Sequence, residues 1–230
     1  MKRILSLTMV AMACGAAQAG ELEVLHWWTS GGEAKAAAAL KDSMKAKGHT
    51  WKDFAVAGGG GDAAMTVLKS RIVSGNAPAA AQIKGPSLQE WAKEGVLANL
   101  DPVAKAEKWD ELLPKVVSDV MKYKGNYIAV PVNVHRVNWL WANSAVFQKA
   151  GAKLPTTWDE FFVAAEALKK AGVTPIAHGG QNWQDFTTFE AVALGVGGAD
   201  FYKKALVQLD PASVSSPTME KVLTTFKRIK

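Results

Sequence analysis

Three short apolar runs, separated from one another by helix-length segments, constrain the fold of this chain more than any other feature. The predicted strands span residues 22–28, 51–57 and 79–84. The first intervening helix is predicted over 33–47, and the second has Asp62 as its N-cap. Strands that alternate with helices form mostly parallel sheets with helices on their faces, so the pattern predicts an α/β fold.

The loops that follow the predicted strands carry the residue types of a ligand site. Trp27 and Trp28 end the first strand, four glycines at 58–61 follow the second, and Gln82 and Lys84 end the third. The carboxyl ends of parallel strands meet at one edge of a sheet, where ligands bind. The sequence therefore predicts that these three loops share one rim.

The neighbouring indoles of Trp27 and Trp28 indicate a carbohydrate platform at that rim. An indole face can cover the apolar C–H face of a sugar, and the indole N–H can donate a hydrogen bond. Core packing is the alternative for each ring, because tryptophan buries a large area. Side chains alternate between the two faces of a strand, so we expect one indole to face a ligand and the other to pack. The pattern leaves open which does which, and we rank Trp28 first as the platform.

Residues 1–19 have the pattern of a cleavable export signal. A basic start leads into a mainly apolar stretch at 4–13, and Ala17 and Ala19 form a small-x-small cleavage motif. We therefore expect cleavage after Ala19 and export of a mature chain that begins at Gly20. No later stretch reaches the ~20 apolar residues that a membrane span needs.

Charge, cysteine and motif content argue against several function classes. The chain has 27 Lys and Arg against 21 Asp and Glu, without the basic arm or interleaved aromatic residues of a nucleic-acid binder. Cys14 leaves with the predicted signal, and the four histidines lack metal-ligand spacing. The glycines at 58–61 lack the following Gly-Lys-Ser or Gly-Lys-Thr of a phosphate-binding loop. We expect no metal, no cofactor and no nucleic-acid partner.

The middle of the chain predicts two short helices followed by a crossover. The helices and a strand-like run after them cover 109–114, 116–121 and 127–133. Pro131 cannot donate a ladder hydrogen bond, so this run belongs at a sheet edge or in a connection between lobes. Asn133 and His135 then lie at a predicted hinge, where His135 is as suited to bracing the hinge as to contacting a ligand.

The last third of the chain contains a clear helix start and a second candidate platform. Thr157 and Glu160 have the spacing of a capping box. Trp158 begins an apolar helical stripe and is therefore predicted to lie in the core. Asn182 and Trp183, by contrast, are predicted to lie in a loop, where an indole among amides is typical of a sugar site.

Several motifs together carry a resemblance to a known family. They are Trp27-Trp28 with Glu33, Gln82-x-Lys84-Gly85, Tyr123-Lys124-Gly125, residues 130–136, Thr157-Trp158-Asp159-Glu160-Phe161 and residues 179–183. With the export signal, they resemble a periplasmic solute-binding protein of family 1, and most closely the glucose- or mannose-binding proteins of bacterial ABC sugar importers. The resemblance implies two α/β lobes of the type II periplasmic-binding-protein class that close on one monosaccharide. It also implies a monomer in the periplasm that serves an inner-membrane ABC permease.

The resemblance also implies roles for individual residues. One or both of Trp27 and Trp28 stack on the sugar, Glu33 and Gln82 bind hydroxyl groups, and Lys84 donates to a ring or hydroxyl oxygen. The further ligand-binding residues that it implies are Asn133, His135, Asn182 and Trp183.

The resemblance divides the chain into a signal at 1–19, a first lobe at 20–130, and a crossover with a partial second lobe at 131–230. Members of the resembling family are longer, so we expect the C-terminal part of the second lobe to be missing. An incomplete cleft predicts weak sugar binding and an exposed apolar face.

Two alternatives stay open. One is a secreted carbohydrate-active hydrolase that uses paired carboxylates; the candidate pairs are Asp110 with Glu111, Asp159 with Glu160, and Glu33 with Asp185. The first two pairs begin predicted helices, where the helix dipole favours acidic residues in any case. The other alternative is a binding protein for oligosaccharides.

Overall fold

A computed structural model describes residues 19–230, so the predicted export signal lies almost wholly outside the described residues. The chain forms two compact units, of which the first ends at Gln82 and the second spans Ile83–Lys230. The predicted lobe boundary at 130–131 thus lies within the second unit. In the described part of the chain, no helix has both the length and the apolar character needed to cross a membrane.

The first unit contains the predicted parallel sheet. Its strands are β1 (Glu21–His26), β2 (Thr50–Ala55) and β3 (Ala80–Ala81), in the order β2-β1-β3. β1 pairs in parallel with both neighbours, and Leu25 lies opposite Phe54 on one side and Ala81 on the other. β3 is shorter than predicted: it ends at Ala81, and residues 82–84 form an irregular connection to the helix that begins at Gly85.

Two helices cover the opposite faces of this sheet. They are α1 (Gly31–Ala46) and α2 (Asp62–Val73). Lys41 of α1 donates a hydrogen bond to Asp53 of β2, whereas Arg71 of α2 donates to Glu23 of β1. Asp53 lies opposite Val24 in the register, so it shares a face with Val24 and not with the adjacent Glu23. The observed layers are therefore those of the predicted α/β pattern.

The start of α2 differs from the prediction by one residue. Gly61, and not Asp62, is the N-cap, and its φ is 103°. A single 3₁₀ turn at Gly59–Gly61 leads into the helix, and Gly60 in that turn also has a positive φ. Only glycine adopts these angles at low cost, so Asp62 is displaced into the first helical turn, where the helix dipole favours its charge.

The first half of the second unit is made of short elements. They are α3 (Gly85–Lys93), α4 (Asp101–Ala106), α5 (Trp109–Leu112), α6 (Lys115–Val120) and an antiparallel hairpin of β4 (Lys122–Tyr123) and β5 (Asn126–Tyr127). The two predicted short helices are confirmed as α5 and α6. Of the strand-like run at 127–133, only Tyr127 lies in a strand, since residues 128–143 form neither helix nor strand. Pro131 lacks the N–H group that a ladder would need there.

The second half of this unit is helical. Its elements are α7 (Ser144–Lys149), α8 (Trp158–Lys170), α9 (Asn182–Tyr202, broken at Gly198), a π-helical turn (Lys203–Val207), α10 (Pro211–Val214) and α11 (Pro217–Ile229). A buried cluster on α9, the π turn and α11 includes Val192 and Val222, both with no exposed surface. Trp158 packs against this cluster, so its prediction as a core residue is confirmed.

Two local predictions in this unit need correction. The Thr157 hydroxyl accepts from the Glu160 N–H as predicted, but the Glu160 carboxylate accepts chiefly from the N–H and hydroxyl of Thr156, with a smaller contribution from the Thr157 N–H. Asn182 and Trp183 lie in the first turn of α9 and not in a loop. A glutamine capping box explains the second error: Gln181 is the N-cap and Gln184 binds back to it, a pattern that resembles a polar loop in sequence.

Candidate functional site

The ends of β1 and β3 meet directly at one edge of the first unit. The Trp27 N–H donates to the Gln82 side-chain oxygen at 3.3 Å, and the Gln82 N–H donates to the Leu25 carbonyl at 2.8 Å. The predicted convergence of these two strand ends is therefore confirmed. The Gln82 oxygen is already engaged, so its NH₂ group is the part of the side chain best placed to donate to a ligand.

The glycine loop after β2 belongs to the same edge. A Cβ atom placed on Gly61 would lie 3.0 Å from the Cδ2 and Cε2 atoms of Trp27 and 3.1 Å from its Cε3 atom. The Gly61 backbone thus covers part of the Trp27 indole, and only a residue without a side chain allows this approach. We call the four residues Trp27, Trp28, Gly61 and Gln82 the rim.

The two rim indoles have different environments, as alternation predicts. Trp28 is buried, with 6% of its surface exposed, whereas Trp27 is only partly buried. Among the described residues that are not exposed, the Trp28 Nε1 atom is the buried side-chain nitrogen or oxygen that lacks a hydrogen-bond partner. A buried N–H without an acceptor is costly, at ~1–3 kcal/mol. Trp27 is therefore the more accessible indole, whereas the sequence analysis ranked Trp28 first as the platform.

A histidine that sequence reasoning missed holds the backbone of this turn. The Trp28 N–H donates to Nδ1 of His26 at 3.2 Å, and His26 Nε2 lies 3.4 Å from Asp53 Oδ1. Asp53 also accepts from the Trp51 indole at 2.5 Å and from Lys41 at 2.8 Å. The Lys41 ammonium, with smaller contributions from Trp51 and His26, holds the pKa of the Asp53 carboxyl below its usual range. Only the position of His26 directly before the tryptophan pair could have signalled this role.

The remaining predicted site residue of the first unit is Glu33. It lies in the first turn of α1, the helix that directly follows the Trp27-Trp28 turn, and its side chain is exposed. The predicted residues Trp27, Trp28 and Gln82 thus lie together at the rim. Glu33 follows Trp28 by five residues.

The predicted site residues of the second unit fall into three places. Lys84 is the exposed N-cap residue of α3. Asn133 and His135 lie in the irregular segment 128–143, where the Asn133 amide and His135 Nε2 are 2.5 Å apart. Asn182 and Trp183 begin α9, and the Trp183 indole donates to Gln181 at 2.7 Å. The side chains of Asn133, His135 and Trp183 are thus paired with sequence neighbours.

One carboxylate of each candidate hydrolase pair is held by hydrogen-bond donors. A hydrogen bond from Lys122, followed by one from Tyr127, lowers the pKa of Asp110. Hydrogen bonds from Thr156 lower the pKa of Glu160. Lys230 and then His178 lower the pKa of Asp185. A glycosidase needs one carboxyl group with a raised pKa as its general acid, and these three shifts have the opposite direction.

The described residues contain no group of three or more His, Cys, Asp or Glu side chains placed to hold a metal ion. Asp53 forms ion-pair contacts with His26, which is bonded to the Trp28 backbone of the rim, and with Lys41. Chemically, the rim offers a partly buried indole and a side-chain amide, which suit an uncharged polar ligand with an apolar face.

The chain matches a family of known proteins over most of its length. The sequence model of the bacterial extracellular solute-binding proteins matches residues 26–230. A protein of Rhizobium meliloti (strain 1021) named "Probable sugar-binding periplasmic protein" is 50% identical over 234 residues, which cover 100% of this chain and 56% of that protein. The chain thus spans about half the length of this relative.

Solved structures show the same fold. A structure from work on xylan utilization by the thermophilic bacterium Caldanaerobius polysaccharolyticus matches with a TM-score of 0.74 and 22% identity. The match covers 91% of this chain and 53% of the chain in that structure. A chitin oligosaccharide binding protein has a TM-score of 0.69 and 21% identity, with coverage of 92% and 53%. At these identities the likeness concerns the fold.

Proposed function

We propose that this chain, which belongs to the bacterial extracellular solute-binding protein family, is part of a periplasmic protein that binds a sugar for an ABC importer. The family match and the periplasmic, sugar-binding name of the Rhizobium meliloti relative support this proposal. The observation that carries it is the rim, where a partly buried indole stands beside an amide at the carboxyl ends of parallel strands.

Trp27 is the proposed stacking platform, and Trp28 supports it from the core. Gly61 covers part of the Trp27 ring, and the Gln82 oxygen holds the Trp27 backbone, so the indole is fixed before a ligand arrives. Such preorganisation lowers the entropic cost of binding. Gln82 and Glu33 are proposed to bind hydroxyl groups of the sugar.

Stacking alone does not account for a useful affinity. Covering ~150 Å² of indole at ~25 cal/mol per Å² contributes at most ~4 kcal/mol, whereas a micromolar dissociation constant corresponds to about −8 kcal/mol. Hydrogen bonds must supply the rest, together with the choice between stereoisomers. We therefore expect the whole protein to use the residues of its second lobe as well, and to favour the closed state by differential affinity. The proposed contacts from the crossover and the second lobe are Asn133, His135, Asn182 and Trp183, and Lys84 is a further proposed contact from the first lobe.

We propose a monosaccharide such as glucose or mannose as the ligand. The support is the resemblance to glucose- and mannose-binding proteins and the presence of one accessible indole, Trp27, at the rim; one indole matches the area of one sugar ring. An oligosaccharide is the second candidate, and the name of the chitin oligosaccharide binding protein favours it. The proposed permease partner follows from the family alone.

A calorimetric sugar panel tests the proposal. Glucose, mannose, galactose, raffinose and a chitin oligosaccharide are titrated into this chain and into the Rhizobium meliloti relative, which includes the length that this chain does not span. We expect saturable binding of one monosaccharide by the relative and weaker binding of the same sugar by this chain. The sugar must be recovered unchanged, because a hydrolase would consume a glycoside.

Two variants place the sugar at the rim. Trp27→Ala is expected to weaken binding more than tenfold, since it removes most of the stacking surface. Trp141→Ala is the matched control: Trp141 is 86% exposed in segment 128–143, and its loss removes an indole without touching the rim. Equal effects of the two variants would refute the assignment of Trp27, and failure of both proteins to bind any panel sugar would refute the proposed function.

A further inference from the structure

His26 is buried next to the rim, with Nδ1 in contact with Trp28 of the rim and Nε2 in contact with Asp53 on β2. It is the last residue of β1, and 7% of its surface is exposed. Its Nδ1 atom accepts from the Trp28 N–H at 3.2 Å. Its backbone carbonyl accepts from the Val56 N–H at 2.8 Å, so the main chain on which the imidazole stands is also held.

The hydrogen bonds define the protonation state of this histidine in the structure. Nδ1 accepts from a backbone N–H, so it carries a lone pair and no proton. Nε2 must then carry the single proton of the neutral ring, which it donates to Asp53 Oδ1 at 3.4 Å. The neutral Nε2–H tautomer is therefore the one that supports the Trp28 amide.

Charged groups reach His26 from one face of the sheet. Asp53 on β2 faces it, and Lys41 on α1 pairs with the other carboxylate oxygen of Asp53. The Glu23 and Arg71 pair lies on the opposite face, and β3 contributes only alanines. Asp53 can accept from Nε2–H in both charge states of the ring, so protonation changes only the Nδ1 side.

Protonation of Nδ1 places two N–H groups opposite each other. The Trp28 N–H then loses its acceptor, so the hydrogen bond that ties the Trp28 backbone to the last residue of β1 is broken. Gln82 still holds the Trp27 N–H on the other side of the turn, so the loss is local to the second half of the turn.

We propose that His26 is the positioning residue of the rim, and that its neutral imidazole holds the Trp27-Trp28 turn in the form that binds ligand. Protonation of His26 releases the turn and weakens binding. The inference rests on the proposed function for its effect on a ligand, but the change at the Trp28 amide is independent of any ligand. Histidine is suited to this role because it changes charge between about pH 8 and pH 5.

The first experiment follows the turn itself by NMR on the ¹⁵N-labelled chain. At pH 8 we expect His26 as the Nε2–H tautomer, with a Trp28 amide that is protected from exchange. As the pH is lowered and the His26 ring takes up a second proton, the Trp28 amide resonance should move with the same midpoint as the ring resonances. A Trp28 resonance that stays constant while His26 titrates overturns the proposal.

Two variants separate positioning from mere structural support. His26→Asn places an acceptor oxygen at the position of Nδ1, and asparagine readily accepts from the N–H two residues later. We expect this variant to keep the Trp28 amide in place and to abolish its pH dependence. His49→Asn is the matched control, since His49 lies in the same unit and its Nδ1 accepts from the Gly20 N–H at 3.3 Å. It should leave the Trp28 titration unchanged.

The second experiment measures the consequence for binding, with the sugar found in the calorimetric panel as probe. Affinity should fall about fivefold from pH 8 to pH 5 in the unsubstituted chain, as expected for the loss of one hydrogen bond, and stay constant in His26→Asn. The same fall in both overturns the proposal. If no sugar binds at all, the proposed function fails, and the NMR titration still decides whether His26 controls the turn.

Discussion

Replacement of Gly61 by alanine tests how the rim is built. Two separate costs are expected. The φ of 103° lies in the region that side chains rarely adopt, which costs ~1–3 kcal/mol. The new Cβ would also lie 3.0 Å from two Trp27 ring atoms, well inside the ~3.5–4.0 Å at which carbon atoms normally pack. Displacing the indole adds ~1–3 kcal/mol, so Gly61→Ala is expected to destabilise the first unit by about 2–6 kcal/mol.

Gly58 provides the matched control for this substitution. It has a similar φ of 97° and lies in the same loop, but a Cβ on Gly58 would meet nothing within 4 Å. Gly58→Ala therefore carries the backbone cost alone, about 1–3 kcal/mol. The difference between the two variants measures the contact with Trp27.

Urea denaturation and hydrogen exchange of the β1 amides measure both costs. Hydrogen exchange is needed because two units need not unfold in one step. In a Trp27→Ala background the cost of Gly61→Ala should fall to that of Gly58→Ala, because the ring that it displaces is gone. Equal costs of the two glycine substitutions in the native background would refute the contact, and so would an unchanged cost in the Trp27→Ala background.

Two further predictions concern stability. Hydrogen bonding to Arg71 lowers the pKa of Glu23, so this pair stabilises the fold above the ordinary carboxyl pKa and loses its effect as the pH falls through the lowered value. Thermal unfolding between pH 7 and pH 3 should therefore show a steeper acid loss for the native chain than for Glu23→Gln, and parallel curves would contradict it. Val222 is fully buried between α9 and α11, so Val222→Ala should cost about 2–3 kcal/mol in urea. Its neighbour Leu223 is 52% exposed, and Leu223→Ala should cost below ~0.5 kcal/mol; similar values for both would contradict the packing.

The parallel sheet of the first unit could be predicted because its signals are local. Each strand and helix has its own apolar pattern, and the alternation of the two types implies parallel pairing. The observed elements β1, α1, β2 and α2 begin and end within two residues of the predicted ranges where both ends were predicted. The exact start of a helix that depends on one backbone angle, such as the one at Gly61, was harder to predict. A run of glycines does not show which of them adopts a positive φ.

The second unit was harder to predict, because its signals are ambiguous. The capping box of Gln181 and Gln184 has the composition of a polar loop, so Trp183 was assigned to a loop and lies on α9. Segment 128–143 alternates apolar and polar residues as a strand does, but no neighbouring strand pairs with it in the described chain. A strand pattern becomes a strand only where a partner supplies the ladder.

By itself the sequence determined the order of strands and helices in the first unit, the edge at which their loops converge, and the presence of two indoles there. It also determined that one indole would face inward, because side chains alternate along an extended chain. Only the tertiary structure decided that Trp28 is the buried one. That choice depends on Gln82, 55 residues from Trp27, and on Gly61, whose backbone occupies the space beside the Trp27 ring. Contacts between distant segments set the direction of a turn, and no local pattern encodes them.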